Sequence, residues 1–282
     1  MWALKIILKI IFSRLNIPYS FWKRFNIFRH GQMESFEYSR KIFEGHFRDM
    51  NEVNKIDNPV IMEIGPGDSL FSMVYSRKYS KEKFYFLDVN DFASKDLNLY
   101  FKLQKKLEKE NYFSKKIKRP FKSFDQLLNS YKAKYLISGI ESLKKIEDES
   151  IDYIFSHSVM EHVRKYELNN IIKEMYRVLK PNGVISHNIN YKDHLGESLN
   201  NLRFSEQIWE SNIFAYSGFY TNRVPAIEMH KFFKKAGFNL VYENFGKWEK
   251  LPIKRNNLNK IFNKYTDEEL AIPTSSFLGI KK

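Results

Sequence analysis

Residues 60–69 read Val-Ile-Met-Glu-Ile-Gly-Pro-Gly-Asp-Ser, and this stretch decides the fold. Its apolar first half is typical of a buried strand that ends at Ile64. Gly65 and Gly67 follow at once, and glycine lets the backbone turn tightly and approach a ligand where a side chain would collide. The acid Glu63 stands at the strand end in place of a phosphate-binding lysine. The stretch therefore predicts a strand, a glycine turn and a helix, with a ligand that presents a cation.

The pattern of residues 58–190 extends this unit into a sheet. Short apolar runs alternate with longer stretches of helical period, as in a parallel sheet with helical crossovers. Besides residues 59–64, strands are predicted at 84–87, 135–138, 151–155, 184–189, 240–242 and 277–280. We therefore expect an α/β fold with a doubly wound, mostly parallel, seven-stranded sheet.

Asp88 adds a second ligand-binding group at the end of the second predicted strand. A carboxylate at this position can accept hydrogen bonds from both hydroxyls of a ribose, so the ligand is predicted to be a nucleoside. A dehydrogenase is the obvious competitor. However, the third glycine of the dinucleotide fingerprint is missing, and the glycine turn begins more than fifty residues into the chain.

These motifs resemble class I S-adenosylmethionine-dependent methyltransferases. Glu63-x-Gly65-x-Gly67 is similar to the first family motif, and Asp88 resembles the ribose-binding acid. Residues 139–143, 148–154, 158–163 and 177–183 match later family segments, so the resemblance covers roughly residues 35–245. It implies a Rossmann-like fold and S-adenosylmethionine as cofactor. The cofactor contacts that it implies are Glu63, Gly65, Pro66, Gly67, Asp88, Ile140, Glu141 and Ser156.

The chain also departs from the family, and part of it suggests a subgroup. Ser69 stands where family members often carry a third glycine, and serine is small enough for cofactor binding to survive. Residues 186–194 and 220–223 look like type 11 methyltransferases encoded with polysaccharide biosynthesis genes.

The candidate catalytic residues follow the fourth and fifth predicted strands, because ligands of open parallel sheets bind at the carboxyl ends of strands. A hydroxyl acceptor needs a base, usually histidine, whereas an amine acceptor need only be neutral. The candidates are His157, His187, Asp193 and His194, of which Asp193 and His194 could together hold a substrate hydroxyl. His187 lies within a predicted strand, so it is equally interpreted as a hydrogen-bonded core histidine. No third acidic ligand accompanies these residues, and we predict no metal site.

Composition restricts the partners and the compartment. The chain lacks cysteine, which excludes disulfides and cysteine-ligated metal sites and fits the reducing cytoplasm. The formal charge of +14 attracts anionic partners, although lysine richness can also reflect the host's composition. No RNA-binding module is recognisable, so nucleic acid is not the favoured partner.

Two segments flank or interrupt the predicted sheet. Residues 1–15 are apolar around most of a helix, apart from a narrow stripe containing Lys5 and Lys9. They predict either an interfacial helix at the inner face of the membrane or a helix packed on the domain. Residues 91–134 form a basic insert with twelve Lys or Arg against five acids. We divide the chain into an N-terminal extension, 1–50, and a methyltransferase domain, 51–282.

The sequence thus predicts methyl transfer to an oxygen of a sugar or glycan precursor, including phosphate-bearing ones. A small-molecule N- or O-methyltransferase unrelated to glycans is the first alternative. A non-catalytic binding protein that retains the fold is the second, and the intact Glu63, Gly65, Gly67 and Asp88 set argues against it.

Overall fold

The computed structural model describes residues 2–15, 31–79, 82–113 and 121–282. These residues form two compact units that interleave along the chain. Unit I contains residues 31–157, 173–187 and 278–282. Unit II contains residues 2–15, 158–172 and 188–277.

Seven strands form one sheet, which confirms the predicted fold class. Their order across the sheet is β3-β2-β1-β4-β5-β7-β6. The strands are β1 (Val60–Ile64), β2 (Lys83–Leu87), β3 (Ala133–Leu136), β4 (Ile151–His157), β5 (Leu179–Asn190), β6 (Phe238–Phe245) and β7 (Thr274–Lys281).

The parallel half of the sheet places the motif residues at one edge. Strand β1 pairs in parallel with β2 and β4, and β2 pairs in parallel with β3. Ile64 pairs with Leu87 on one side and with Ser156 on the other. The chain order reverses beside β1, which is where open α/β sheets bind their ligands. Gly65, Asp88 and His157 each follow one of these last paired positions.

Some strand boundaries differ from the predicted ones. Strand β3 lies two residues earlier than predicted because Phe84 pairs with Ala133, which sets the register. Strand β4 runs on to His157 because Ser156 still pairs with Ile64. The helix before β5 ends at Val178, and β5 starts at Leu179, before the predicted Pro-Asn-Gly stop. Asn182 in that stop has a positive φ of 62°.

The longer helices of unit I cover the sheet. They are α2 (Phe36–Val53), α4 (Leu97–Lys109), α5 (Phe124–Ser130) and α7 (Leu168–Val178, whose first turns lie in unit II), with the short α3 (Ser72–Tyr75) and α6 (Gly139–Leu143) at the strand ends. Phe43 and Met50 of α2 share one core with Ile61 of β1 and Phe155 of β4. Helix α2 runs across residue 50, where the predicted extension ends, and that division stays a prediction.

The predicted insert packs its aromatic residues inward. Tyr100 and Tyr112 are buried in the unit I core, whereas the lysines of α4 point outward. The described part of the insert thus packs these aromatic side chains on the core while its lysines face solvent. Residues 114–120 of the insert lie outside the described part of the chain.

Unit II contains α1 (Trp2–Phe12), α8 (Glu206–Trp209), α9 (Asn212–Ala215), α10 (Ala226–Lys235) and α11 (Asp267–Leu270). Ile6 of α1 packs into a cluster with Leu195, Trp209, Phe219 and Tyr220. Met1 and residues 16–30 of the predicted extension are outside the described residues. In the ranges that are described, no helix is long and apolar enough to cross a membrane.

Candidate functional site

The glycine turn after β1 has the backbone conformation that the sequence predicts. Gly65 and Gly67 have φ values of 67° and 66°, in the left-handed region that favours glycine. The Gly65 amide donates to the carbonyl of Leu87 at 2.8 Å, which joins the turn to the end of β2. A side chain at either glycine would strain this turn.

Glu63 is a buried carboxyl with hydrogen-bonding capacity to spare. Its residue is 2 % exposed, and Oε2 has no hydrogen-bond partner among the described residues. Burial raises the pKa of Glu63 to about 8, with a smaller contribution from the charge of Asp88. A buried polar atom without a partner is costly, and a ligand cation would remove that cost.

Asp88 sits at the end of β2 with its carboxylate partly satisfied. Burial raises its pKa to about 6, and backbone hydrogen bonds from Val89, Gly67 and Asn90 oppose the rise. The Val89 amide donates to Asp88 Oδ1 at 2.7 Å. These bonds hold the carboxylate beside the glycine turn, where it can accept from the two hydroxyls of a ribose.

Val89, directly after Asp88, is a further candidate binding residue that was not predicted from the sequence. Its side chain is 75 % exposed although the residue is apolar. A Cβ on Gly139, which has a φ of +50°, would lie 3.3 Å from Val89 Cγ1. The Gly139 amide donates to the carbonyl of Asp88 at 2.8 Å, and Ile140 follows it at the start of α6. Val89 and Ile140 thus offer apolar surface for a planar base. The sequence feature that could have predicted Val89 is an apolar residue directly after the ribose-binding acid.

These groups fit the three chemical parts of S-adenosylmethionine, and this nucleoside is the cofactor. The orphaned oxygen of Glu63 suits its ammonium group, Asp88 its ribose, and Val89 with Ile140 its adenine. Pro66 is buried within the turn. Glu141 is exposed and pairs with Lys144 at 2.7 Å, so its contact with the cofactor stays a prediction.

Ser156 and His187 are buried residues whose side chains contact each other. Ser156 Oγ and His187 Nδ1 are 2.7 Å apart, and both side chains are fully buried. Adjacent strands β4 and β5 bring them together inside unit I. The predicted cofactor contact of Ser156 and the predicted catalytic role of His187 both stay predictions.

His157 is the candidate base that the structure places at the cofactor edge. It is the last residue of β4, and its Nε2 lies 3.3 Å from the hydroxyl of Tyr38 on α2. Burial lowers the pKa of His157 to about 4, so its ring is neutral at pH 7. The ring of His46 meets it edge to face at 5.8 Å. Tyr38 lies 119 residues away in sequence, and nothing in the sequence pairs it with His157.

Asp193 was predicted to hold substrate, which stays a prediction, and in the structure its carboxylate organises its own loop. Its Oδ1 accepts from the amides of Leu195 and Gly196 at 2.9 and 2.7 Å. Its Oδ2 accepts from the backbone amide and side-chain amide of Asn200 at 2.5 and 3.0 Å. Both oxygens are therefore used to close the loop at residues 193–200.

His194 lies in unit II beside a second histidine. Its Nε2 is 3.3 Å from Nε2 of His162, while His162 Nδ1 is 2.8 Å from the carbonyl of Tyr220. That carbonyl can only accept, so Nδ1 of His162 carries a proton. A neutral His162 then accepts from His194, which leaves the His194 lone pair on Nδ1. Burial lowers the pKa of His194 to about 4, with a smaller effect of the His162 charge.

Two of the four predicted catalytic residues are histidines whose protonation state follows from their burial. His157 and His194 are both neutral at pH 7, and each ring has an ordered neighbour. Across the described ranges, no group of three or more His, Asp or Glu side chains is arranged to hold a metal ion.

Comparison with known proteins gives one family match. Residues 62–186 match the family model described as a methyltransferase domain. No curated protein matches the sequence.

Solved structures resemble the fold at low identity. A S-adenosylmethionine-dependent methyltransferase of Methanosarcina mazei is 17 % identical with a TM-score of 0.48, over 80 % of this chain and 93 % of that one. Phosphoethanolamine N-methyltransferase 2 of Haemonchus contortus, in complex with S-adenosylmethionine, is 12 % identical with a TM-score of 0.47, over 93 % of this chain and 59 % of that one. Likenesses at this level carry no inference about the acceptor.

Proposed function

We propose that this chain, which is a class I S-adenosylmethionine-dependent methyltransferase, transfers the methyl group to an oxygen atom of a sugar or glycan precursor. The neutral His157 at the end of β4 is the observation that carries the proposal. The cofactor, when bound, supplies a methyl group that is activated by its sulfonium. The protein must then align an acceptor lone pair with that carbon.

A sugar hydroxyl requires more from the protein than an amine does. The hydroxyl proton must leave as the carbon–oxygen bond forms, so an unprotonated base has to lie at the methyl-transfer position. An amine acceptor only has to be neutral. A base that is kept neutral at the cofactor edge therefore favours an oxygen acceptor.

His157 meets this requirement within unit I. It follows Ser156, the residue that pairs with Ile64, so it lies at the same sheet edge as Gly65. Its low pKa keeps the ring neutral at pH 7, and in the tautomer that carries the proton on Nδ1, Tyr38 can donate to Nε2. Once Nε2 has gained the acceptor's proton, the Tyr38 oxygen can accept from it. Tyr38 thus supports the ring in both protonation states.

The sugar class rests on charge and on the resemblance described above. The formal charge of +14 would attract acceptors that carry phosphate, such as nucleotide-linked sugars or polyprenyl-phosphate-linked glycans. The likeness of residues 186–194 to enzymes encoded with polysaccharide biosynthesis genes points to the same class. A cytoplasmic enzyme would meet these acceptors at the inner face of the membrane.

The test is turnover with a panel of nucleotide-linked sugars, polyprenyl-phosphate-linked glycans and small amines. S-adenosylhomocysteine production is the readout. With an active hydroxyl acceptor, His157→Gln should lower kcat by about 10²- to 10³-fold, the usual contribution of a general base. Its affinity for S-adenosylmethionine should stay within about threefold of wild type. Tyr38→Phe should cause a smaller loss and shift the pH profile of kcat.

Other results would change the assignment. Turnover of amines alone, unaffected by His157→Gln, would support the small-molecule N-methyltransferase. A loss of kcat in His194→Gln but not in His157→Gln would make His194 the base. Tight cofactor binding without turnover of any acceptor class would support a binding protein that has lost catalysis.

A further inference from the structure

We propose that helix α1 docks unit II on an anionic lipid surface. The contact surface is the apolar face of α1, defined as Leu4, Ile7, Leu8 and Ile11. This partner is independent of the identity of the methyl acceptor.

Helix α1 presents two opposite apolar sides, and only one of them is buried. Ile6 is 6 % exposed in the cluster with Trp209 and Phe219, and Ile10 packs against the same cluster. By contrast, Leu4 is 61 % exposed and Ile7 56 %. At 3.6 residues per turn, the four residues of the apolar face lie within an arc of about 100°, opposite to Ile6.

Neighbouring residues of unit II extend this apolar face. Arg14 Nη2 donates to the carbonyl of Ile213 at 3.1 Å, which places α9 next to the end of α1. Three large apolar or aromatic side chains are exposed nearby in sequence: Ile208 on α8, Ile213 on α9 and Tyr216 directly after α9. Exposed apolar side chains concentrated in one region of a protein are typical of an interaction site.

The charge of the segment selects lipid as the occupant. Residues 1–33 contain six basic residues, Lys5, Lys9, Arg14, Lys23, Arg24 and Arg29, and no acidic residue. Anionic headgroups would be attracted to this segment, whereas a second copy of the chain would bring the same positive charge. Lys5 and Arg14 are exposed, whereas burial lowers the pKa of Lys9. Exposed basic residues near an aliphatic stripe are typical of helices that lie in the membrane interface.

The dimensions of α1 agree with lying on a membrane. Its 11 residues extend over about 16 Å at 1.5 Å per residue, roughly half of the hydrocarbon thickness of a bilayer. Ile6 and Ile10 remain packed on unit II, so only the opposite side can enter lipid. The helix would lie parallel to the surface, with its aliphatic side chains at the headgroup boundary.

Flotation of the full-length protein with vesicles tests the proposal. Phosphatidylcholine vesicles with and without about one third phosphatidylglycerol separate apolar from electrostatic attraction. The test variant is Leu8→Ser with Ile11→Ser. The matched control is Val241→Ser with Ile261→Ser, because both residues are exposed aliphatics of unit II remote in sequence from α1. Urea unfolding, followed by far-ultraviolet circular dichroism, shows that each variant is folded in both units.

Wild type should bind the anionic vesicles, with affinity that falls as salt increases. The α1 variant should bind them about tenfold more weakly for each aliphatic side chain removed, and the control should bind like wild type. Absence of wild-type binding to anionic vesicles would overturn the proposal, as would equal binding by the α1 variant. A wild-type dimer in sedimentation that the α1 variant abolishes, without lipid binding, would assign the face to a second copy.

Discussion

Glu63 in unit I and Asp193 in unit II are both almost completely buried, yet their surroundings are opposite. Asp193 accepts four hydrogen bonds from a single loop, whereas one carboxyl oxygen of Glu63 has no partner among the described residues. Buried polar groups cost free energy unless they are satisfied. Burial of an acid therefore does not distinguish ligand binding from architecture, but its hydrogen-bond inventory does.

Two other polar side chains of unit II also donate hydrogen bonds within that unit. Asn222 Nδ2 donates to the carbonyls of Met160 and Val163, at 2.8 and 3.0 Å. Arg223 is buried and donates to the carbonyl of Phe204 at 2.7 Å and to Glu206 at 2.6 Å. Residues 220–223, which resemble a stretch of polysaccharide-associated enzymes, thus use two of their polar side chains to hold loops together.

Removal of the Asp193 carboxylate should have the largest effect on stability. Asp193→Ala leaves four donors without their acceptor, so we expect the free energy of unfolding to fall by about 3 kcal/mol. Urea unfolding measures this loss. The control is Glu197→Ala in the same loop, where the acid is exposed and the change should stay within about 0.5 kcal/mol. An equal loss of unfolding free energy in both variants would remove the contrast between the hydrogen-bonded carboxylate of Asp193 and the partly unpartnered carboxyl of Glu63.

The pH dependence of cofactor binding should show Glu63 as a ligand-binding acid. Its folded pKa of about 8 lies above the ordinary value, so the apo fold keeps a proton that the unfolded chain loses near pH 4.5. Apo stability should therefore decline as pH rises from 4.5 to 8. A cation favours the ionised carboxylate, so S-adenosylmethionine affinity should rise instead, approaching tenfold per pH unit below pH 8.

Calorimetry in buffers with different ionisation enthalpies measures the protons released on binding. We expect nearly one proton per cofactor at pH 7, and Glu63→Gln should abolish most of this release. A pH-independent affinity with no proton release would show that Glu63 stays protonated in the complex. Glu63 would then be a structural residue of the core and not a ligand-binding carboxylate.

Asp88→Ala should have a smaller effect than the changes described above, and this effect is on the affinity for the cofactor. The cofactor Kd should rise about tenfold or more, as expected when charge-assisted hydrogen bonds to a ribose are lost. The matched control is Asp91→Ala, since Asp91 is exposed and pairs with Lys95 on the surface. An unchanged Kd in Asp88→Ala would place the ribose elsewhere.

The cofactor edge of unit I could be predicted from the sequence because its signals are local. A buried strand, a glycine turn and an acid at the end of the next strand are each written within a few consecutive residues. Parallel pairing then brings the strand ends together, as the registers of β1 with β2 and β4 confirm. Val89 was missed only because an exposed apolar residue is not distinctive in sequence.

The catalytic candidates could not be sorted in the same way. His157, His187 and His194 all stand at or near predicted strand ends, and the sequence gives each a similar environment. The structure buries His187 against Ser156, 31 residues away, and brings Tyr38 to His157 across 119 residues. Such partners depend on strand order and helix packing, which are properties of the whole fold.

By itself, the sequence determined the α/β class, the glycine turn and the acids that receive the cofactor, because hydrophobic period and turn chemistry are encoded by near neighbours. The tertiary structure alone decided which buried polar groups remain open to a ligand. It also decided which side of α1 is packed and which is exposed. Both outcomes depend on contacts between residues distant in the chain, since hydrogen bonds and apolar burial are completed only when those residues meet.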